Sequence, residues 1–340
     1  MQNVWEFNYN KLVALLFLTI KLITAQHLNC FLKIKGENAK YSFFKIIDVA
    51  LDGKRNIYVL DRKGYSIIKF TKKGEFSKRF GKRGNGPGEF LDPHSIIFFK
   101  DKIFLWDFGR KKMLILNSQL KFLEEKKVDL PLLEIFHTDE NLIGVLLPFK
   151  TDFRLVLLSP ALKVIKNFFN LEPEYLKAGK EKWKLFPLLK MGYGYVKATY
   201  NSDSKTIIAS YLVCDKNYRL YIFENSGKLK KQLQVKLDER CFNPNLPIYI
   251  KNKHQQKKIV LIDSLHYIGK EKILINYCID KCYLSVVNLK NGKVETKKKL
   301  ITPVKIFMVK DGVIYLKKLG EDLETLMLCN FVSPSISVVK

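Results

Sequence analysis

Residues 46–80 read IIDVALDGKRNIYVLDRKGYSIIKFTKKGEFSKRF, and residues 94–125 read HSIIFFKDKIFLWDFGRKKMLILNSQLKFLEE. The two stretches align. Ile57-Tyr58-Val59-Leu60-Asp61 corresponds to Ile103-Phe104-Leu105-Trp106-Asp107, 46 residues later. Ile67-Ile68-Lys69-Phe70 corresponds to Leu114-Ile115-Leu116-Asn117, and Gly74 and Gln119 fall in matching turns. Each unit is four short runs of β-branched and aromatic residues separated by Gly, Asp, Asn and Lys, the pattern of a four-stranded antiparallel meander. A repeat of roughly forty to forty-five residues suits a propeller blade. A single blade cannot cover both of its apolar faces, whereas blades stacked around an axis cover each other.

Between the two units lies Gly84-Asn85-Gly86-Pro87-Gly88-Glu89-Phe90, with Pro93 just beyond. Together with Asp52-Gly53, Asn56-Ile57-Tyr58-Val59, Asp61, Ile68, Phe70 and Gly74, this stretch resembles the NHL-repeat pattern and its relatives, the bacterial six-bladed β-propeller proteins. In that pattern a GxGPGEF turn leads into the innermost strand of the next blade. The resemblance implies the fold and a frequently secreted bacterial setting, and it implies no reaction. The glycines themselves read as turn residues, Gly86-Pro87-Gly88 supplying the positive and the fixed φ of a tight connection. They lack the spacing and following helix of a dinucleotide fingerprint.

The rest of the chain extends the rhythm. Residues 132–171, 192–237, 259–299 and 302–339 each supply runs for a further blade, with interruptions at 172–190 and 238–258. The expected fold is all-β, a six-bladed β-propeller of four-stranded antiparallel blades occupying residues 26–340 as one domain. FLKIKG at 31–36 is placed to pair with the last blade and close the ring.

With 340 residues, 47% hydrophobic, the chain can bury a large core without staples. A formal charge of +27 would suit a polyanion partner, but only eight of the 60 basic residues are Arg, the residue suited to bidentate phosphate and base contacts. Lys, Ile, Asn, Phe and Tyr are plentiful together, as a codon bias toward A and T would make them. The runs Lys111-Lys112 and Lys297-Lys298-Lys299 fall at turns or hairpin edges, where lysine discourages edge-to-edge association. Six cysteines, at 30, 214, 241, 278, 282 and 329, are too few and scattered for a disulfide framework. Cys278 and Cys282 flank a short turn and face each other either as a bridge or as two half-buried thiols.

Residues 12–25, LVALLFLTIKLITA, follow Lys11 and are too short to span a bilayer comfortably. Residues 1–25 therefore read as a signal peptide or membrane anchor, with Thr24-Ala25 as the cleavage point. Cys30 raises the alternative of a lipoprotein, although the residues before it lack the usual small pair.

No GxSxG, HExxH, Walker A or CxxC pattern is present. Propeller sites sit where the innermost strands converge at the channel mouth, and those strands offer Asp48, His94, His137, Tyr193, Lys197 and Asp263 as ligand-binding candidates. Tyr195, His266 and Lys305 come from the same strands. They form no evident metal cage, and neither catalytic residues nor a cofactor are expected. Asp263 and His266 fall on opposite faces of a regular strand. Tyr193, Tyr195 and Tyr200, interleaved with Lys197, would stack a sugar or base or else serve as core. Asp61 and Asp107 recur at equivalent places and read as acceptors for turn N–H groups, and Trp106 as packing between blades.

The expectation is a monomeric, non-catalytic, extracytoplasmic binding module for an envelope protein, peptide or glycan, touching membrane only through its N-terminal segment. The alternatives are a metal-assisted hydrolase, lactonase or lyase at the channel, and an RNA-binding propeller, which the scarcity of Arg disfavours.

Overall fold

The computed structural model describes residues 29–148, 150–170, 195–212, 218–237, 261–269, 271–278, 282–300, 302–320 and 323–331. Residues 1–25, expected to be a signal peptide or anchor, and Tyr193 lie outside them. Among the described residues there is no helix, and the strands form six four-stranded antiparallel sheets.

Strand β1 (Asn29–Ile34) and the small hairpin of β2 (Glu37–Asn38) and β3 (Tyr41–Ser42) precede the first blade. Blade 1 is β4 (Ile46–Leu51), β5 (Ile57–Asp61), β6 (Ser66–Phe70) and β7 (Phe76–Phe80), paired in that order. Blade 2 repeats it with β8 (Pro93–Phe99), β9 (Lys102–Asp107), β10 (Lys112–Asn117) and β11 (Phe122–Lys127). Blade 3 holds β12 (Leu132–His137), β13 (Leu142–Leu146), β14 (Phe153–Leu158) and β15 (Val164–Asn170). Blade 4 comprises β16 (Val196–Asn201), β17 (Thr206–Tyr211), β18 (Tyr218–Glu224) and β19 (Leu229–Val235). In blade 5 come β20 (Leu261–Gly269), β21 (Lys272–Cys278), β22 (Cys282–Asn288) and β23 (Val294–Lys299). Among the described residues blade 6 has three strands of its own, β24 (Val304–Lys310), β25 (Val313–Lys318) and β26 (Leu326–Asn330), and β1 adds the fourth.

The ring is therefore closed by the expected strand. Leu32 pairs with Leu328 and Ile34 with Leu326, and the alternation of β1 turns Leu32 and Ile34 toward the core while Phe31 stays outside. Cys30 stands opposite Cys329, and the two form a disulfide across 299 residues of chain. This corrects two readings of the cysteines. The scattered pair is a staple after all, and the Cys30 sulfur is committed to Cys329, which removes it as an acylation site. Cys282 is disulfide-bonded as well, with Cys278 opposite it in the register; the Cys278 side chain lies outside those described.

Six apolar cores lie one between each pair of neighbouring blades. Tyr58, Leu60 and Ile67 of blade 1 pack with Ile96, Leu105 and Leu114 of blade 2, and Trp106 and Met113 of blade 2 pack with Leu132, Leu142 and Val156 of blade 3. Phe168 and Phe169 meet Tyr211, Tyr221 and Phe223 between blades 3 and 4. Ile208 and Leu220 face Ile273 and Ile275, Leu274 and Leu284 face Ile306 and Leu316, and Tyr315 and Leu328 face Ile46 and Ile68. This is the requirement inferred from the repeat: a middle strand such as β5 is buried along its whole length because both of its faces are covered. Outer strands remain partly exposed and carry charge, as in β23 with Lys297, Lys298 and Lys299.

The glycine-rich turn does what its composition requires. Gly84 and Gly88 take positive φ, at 156° and 74°. A Cβ on Gly84 would lie 2.0 Å from the Glu89 Oε2 atom, which accepts the Gly86 N–H at 2.7 Å. Arg110 donates to Glu89 O at 2.6 Å and Asn85 O at 3.0 Å, and Phe90 is thereby delivered into the core between blades 1 and 2. Asp61 accepts the Phe44, Lys45 and Gly64 N–H groups at 2.7–3.1 Å. Asp107 accepts those of Leu91 and Asp92 at 2.8–2.9 Å. Each buried aspartate thus holds the segment that enters the innermost strand of its own blade. Trp106 donates to Leu132 O in blade 3, the inter-blade role expected of it.

Candidate functional site: a charged ring around the channel

The innermost strands β4, β8, β12, β16, β20 and β24 neighbour one another in turn, and the sixth returns to the first. Every one begins at the same rim, here the near rim, and carries a polar residue two or three positions in: Asp48, Ser95, Glu134, Lys197, Asp263 and Lys305. In five of the six a bulge falls at or near this level, between Ile46 and Asp48, Pro93 and Ser95, Leu132 and Glu134, Ile262 and Ser264, and Ile306 and Met308. A bulge adds an unpaired residue and turns a side chain out of the regular alternation, which is how such strands present polar groups on an otherwise apolar sheet.

The ring is linked from blade to blade. Asp48 Oδ2 accepts the Ser95 hydroxyl at 3.1 Å and the Ile96 N–H at 2.8 Å, joining blades 1 and 2. Ser95 Oγ in turn accepts the Ile135 N–H at 3.3 Å from blade 3. Lys197 donates to Glu134 Oε1 at 2.6 Å, bridging blades 3 and 4. Asn276 Nδ2 donates to Asp263 Oδ2 at 3.1 Å and Val304 O at 3.0 Å, joining blades 5 and 6. Lys305 donates to Ile47 O at 2.8 Å and ties blade 6 back to blade 1.

Three carboxylates face two ammonium groups, and their titration follows from that imbalance. Burial pushes the Asp48 carboxyl up to about 6, against the opposing pull of the Ile96 and Val49 N–H groups and Lys305. Burial likewise raises Asp263, with Lys197, Lys305 and Asn276 acting the other way. For Glu134 burial is also the largest influence, but Lys197, Lys305 and His94 together outweigh it and leave the carboxyl below its ordinary value. Lys197 is raised because Glu134, Asp263 and Asp48 outweigh its burial. Burial lowers Lys305, which has no carboxylate in direct contact among the described residues.

His94 stands at the same mouth. Its Nε2 lies 3.3 Å from Asp92 Oδ2, whose other oxygen accepts from Arg62 Nε at 2.5 Å, and its ring lies against Phe108 at 5.0 Å. Burial and the nearby Arg62 lower its pKa, so the imidazole is neutral at pH 7.

Four of the six sequence candidates, Asp48, His94, Lys197 and Asp263, are thus brought together. His137 is not: it ends β12 at the far rim, bonded through Nδ1 to Thr138 O at 2.9 Å and resting on Phe99. The bulge at Asp263 breaks the regular alternation expected between Asp263 and His266, and Asp263 accepts from Asn276 instead, with no hydrogen bond to His266 among the described residues. Burial lowers His266 to about 4. Tyr200 packs on the core between blades 3 and 4 and donates to Asp139 at 2.9 Å, so it is the core reading of the tyrosines that holds there. Glu134 was not among the candidates. Its signal was alignment: LLEIFH set against PHSIIFF places Glu134 at the level of Ser95. Among the described residues no three His, Cys, Asp or Glu side chains converge in a metal-binding arrangement.

Comparison with known proteins agrees on architecture. The family DUF5128, described as a 6-bladed beta-propeller, matches residues 35–170, the span of the first three blades. No curated protein matches the chain by sequence. Among solved structures, a protein from Bacteroides fragilis described as exported superposes with a TM-score of 0.59 at 14% identity, covering 88% of this chain and 94% of that one. A member of the DUF4221 family from Bacteroides vulgatus gives 0.58 at 10% identity, covering 89% and 97%. Virginiamycin B lyase from Staphylococcus aureus gives 0.52 at 10% identity, covering 87% of each chain. At such identities the likeness is one of fold, and the chain is a six-bladed β-propeller of four-stranded antiparallel blades.

Proposed function

We propose that this propeller is an extracytoplasmic, non-catalytic binding module that engages an envelope protein, peptide or glycan at the near rim of its channel. The observation that carries the reading is the convergence of Asp48, His94, Glu134, Lys197, Asp263 and Lys305, drawn from all six blades, on one mouth. Charged groups of both signs held by neighbouring blades present a fixed pattern of donors and acceptors, which suits recognition of a polar ligand. The Cys30–Cys329 disulfide supports a location outside the cytoplasm, where such bonds persist, and so does the likeness to a protein described as exported. The apolar stretch at 12–25 supplies the route.

The test is retention of a partner from an envelope extract by immobilised wild-type protein and by Lys197→Met, with a melting curve confirming that the variant is folded. A protein or glycan held by wild type and released by the variant supports the channel mouth as the site. Equal retention by both places the site elsewhere, and specific retention by neither counts against a binding role. The intact mass of native protein from the envelope fraction tests export, cleavage near Ala25 being the expected result.

A further inference from the structure

Away from the channel, β14 carries an arginine where its neighbours are apolar. Arg154 begins the run RLVLL at the near-rim end of its strand, with Tyr211 of blade 4 near enough to act on its charge. Its side chain is 0% exposed. Among the described residues Nη2 is bonded to Thr151 O of the turn just before it, while Nε and Nη1 have no hydrogen-bond partner. Asp152 and Tyr211 act on the guanidinium through space without bonding to it. The backbone opposite is unusual too: Phe153 pairs with Asn170 and Leu155 with Phe168, which sets Phe169 across from Arg154, and Phe169 has a φ of +60°. Its ring lies 5.3 Å from Tyr211 and 4.7 Å from Tyr221.

A guanidinium cannot escape its charge by losing a proton, and taken from water without a counter-ion it is among the most costly groups a fold can hold. Its planar fork matches the oxygens of a carboxylate or phosphate. Asp152, two residues earlier, is exposed, and the strand begins at the near rim.

We propose that Arg154 is the anchor of an oxyanion-binding site at the near-rim end of the seam between blades 3 and 4, separate from the channel ring, taking the carboxylate or phosphate group of a ligand. Nε and Nη1 supply the donors, and the bond from Nη2 to Thr151 O holds the arginine in place.

Thermal unfolding of the full chain at fixed ionic strength, titrated with acetate or with inorganic phosphate, tests this, with Arg154→Met and Arg154→Lys measured alongside. In the wild type one of the two anions raises Tm saturably, by roughly 2 °C at tenfold above its Kd, and whichever is preferred identifies the group. Arg154→Met loses that saturable response, retaining only the unsaturable stabilisation that phosphate gives any protein, and melts roughly 1–5 °C higher without anion because a lone buried charge is gone. Arg154→Lys keeps the charge but not the fork and responds more weakly. A wild type that answers acetate and phosphate no differently from Arg154→Met overturns the site. So does an Arg154→Met that melts lower than wild type without anion, because the arginine would then be paired within the chain.

Discussion

If the disulfide between Cys30 and Cys329 fastens the ring, replacing both cysteines by alanine loosens one blade and lowers the stability of the whole fold. The bridge closes a loop of 299 residues. In the chain-entropy account its removal restores freedom to the unfolded chain equivalent to about 6 kcal/mol at 25 °C, the upper end for any single disulfide. Unfolding entropy near 2 cal/mol/K per residue makes that a fall in Tm of roughly 8 °C for a chain of this size. Alanine suits both positions, since Cys329 is fully buried and a serine hydroxyl there would add a desolvation cost of its own. The native contacts of β1 through Leu32 and Ile34 remain, so the folded variant keeps its ring while β1 detaches more often. Calorimetry of the wild type and the double variant gives the magnitude, and amide exchange locates the loss in β1 and β26. Reduction of the wild type is a weaker test because Cys282 is also disulfide-bonded. A double variant that melts within about 1 °C of wild type, with β1 amides equally protected, would refute the argument that covalent closure holds the ring.

Three further outcomes are expected. Titration of the Asp48 side-chain carboxyl by NMR has its midpoint near 6, and a midpoint near 4 contradicts the burial described for it. Because that folded value exceeds the unfolded one, the native state holds more protons between the two, so the contribution of Asp48 to stability falls by about 2–3 kcal/mol as pH rises from about 4 to 6. A double-mutant cycle on Glu134→Gln and Lys197→Met gives a coupling of about 1–2 kcal/mol, reflecting the half-exposed carboxylate, whereas coupling below about 0.3 kcal/mol would reduce the pair to two solvated charges. Asp61→Ala, which strands three backbone N–H groups, lowers the unfolding free energy in denaturant titration by about 3 kcal/mol; a loss under about 1 kcal/mol would mean that water replaces the carboxylate.

Much of the architecture was legible because it is periodic. The alignment of Asp61 with Asp107 and of Tyr58 with Phe104 exposes one repeat, and strand composition extends it to six, since alternation and turn residues are local properties of the chain. The closing strand was legible for the same reason, FLKIKG being a strand with no partner nearby. What escaped depends on distance in sequence. Cys30 and Cys329 pair only because the ring brings β1 beside β26, and nothing near either cysteine announces the other. Glu134 reads as one acid in an apolar strand until five neighbours at the same level make it part of a ring. Arg154 hides in RLVLL because a strand composition says what is buried and not what a buried charge meets there. The bulge at Asp263 shows the remaining limit: regular alternation assigns faces correctly until one extra residue shifts the count.

Closure by the earliest strand also sets the order in which the molecule can be made. At roughly 5–20 residues per second of synthesis, some 15–60 s separate the appearance of β1 from that of β26. Throughout that interval β1 has no sheet to join, and the Cys30 thiol is available to any cysteine that emerges before Cys329. Five blades can stack progressively behind the ribosome, but the sixth cannot form until its last strand arrives, leaving two apolar blade faces uncovered until then. A nascent chain of this design depends on whatever keeps β1 extended and Cys30 unpaired until its distant partner appears.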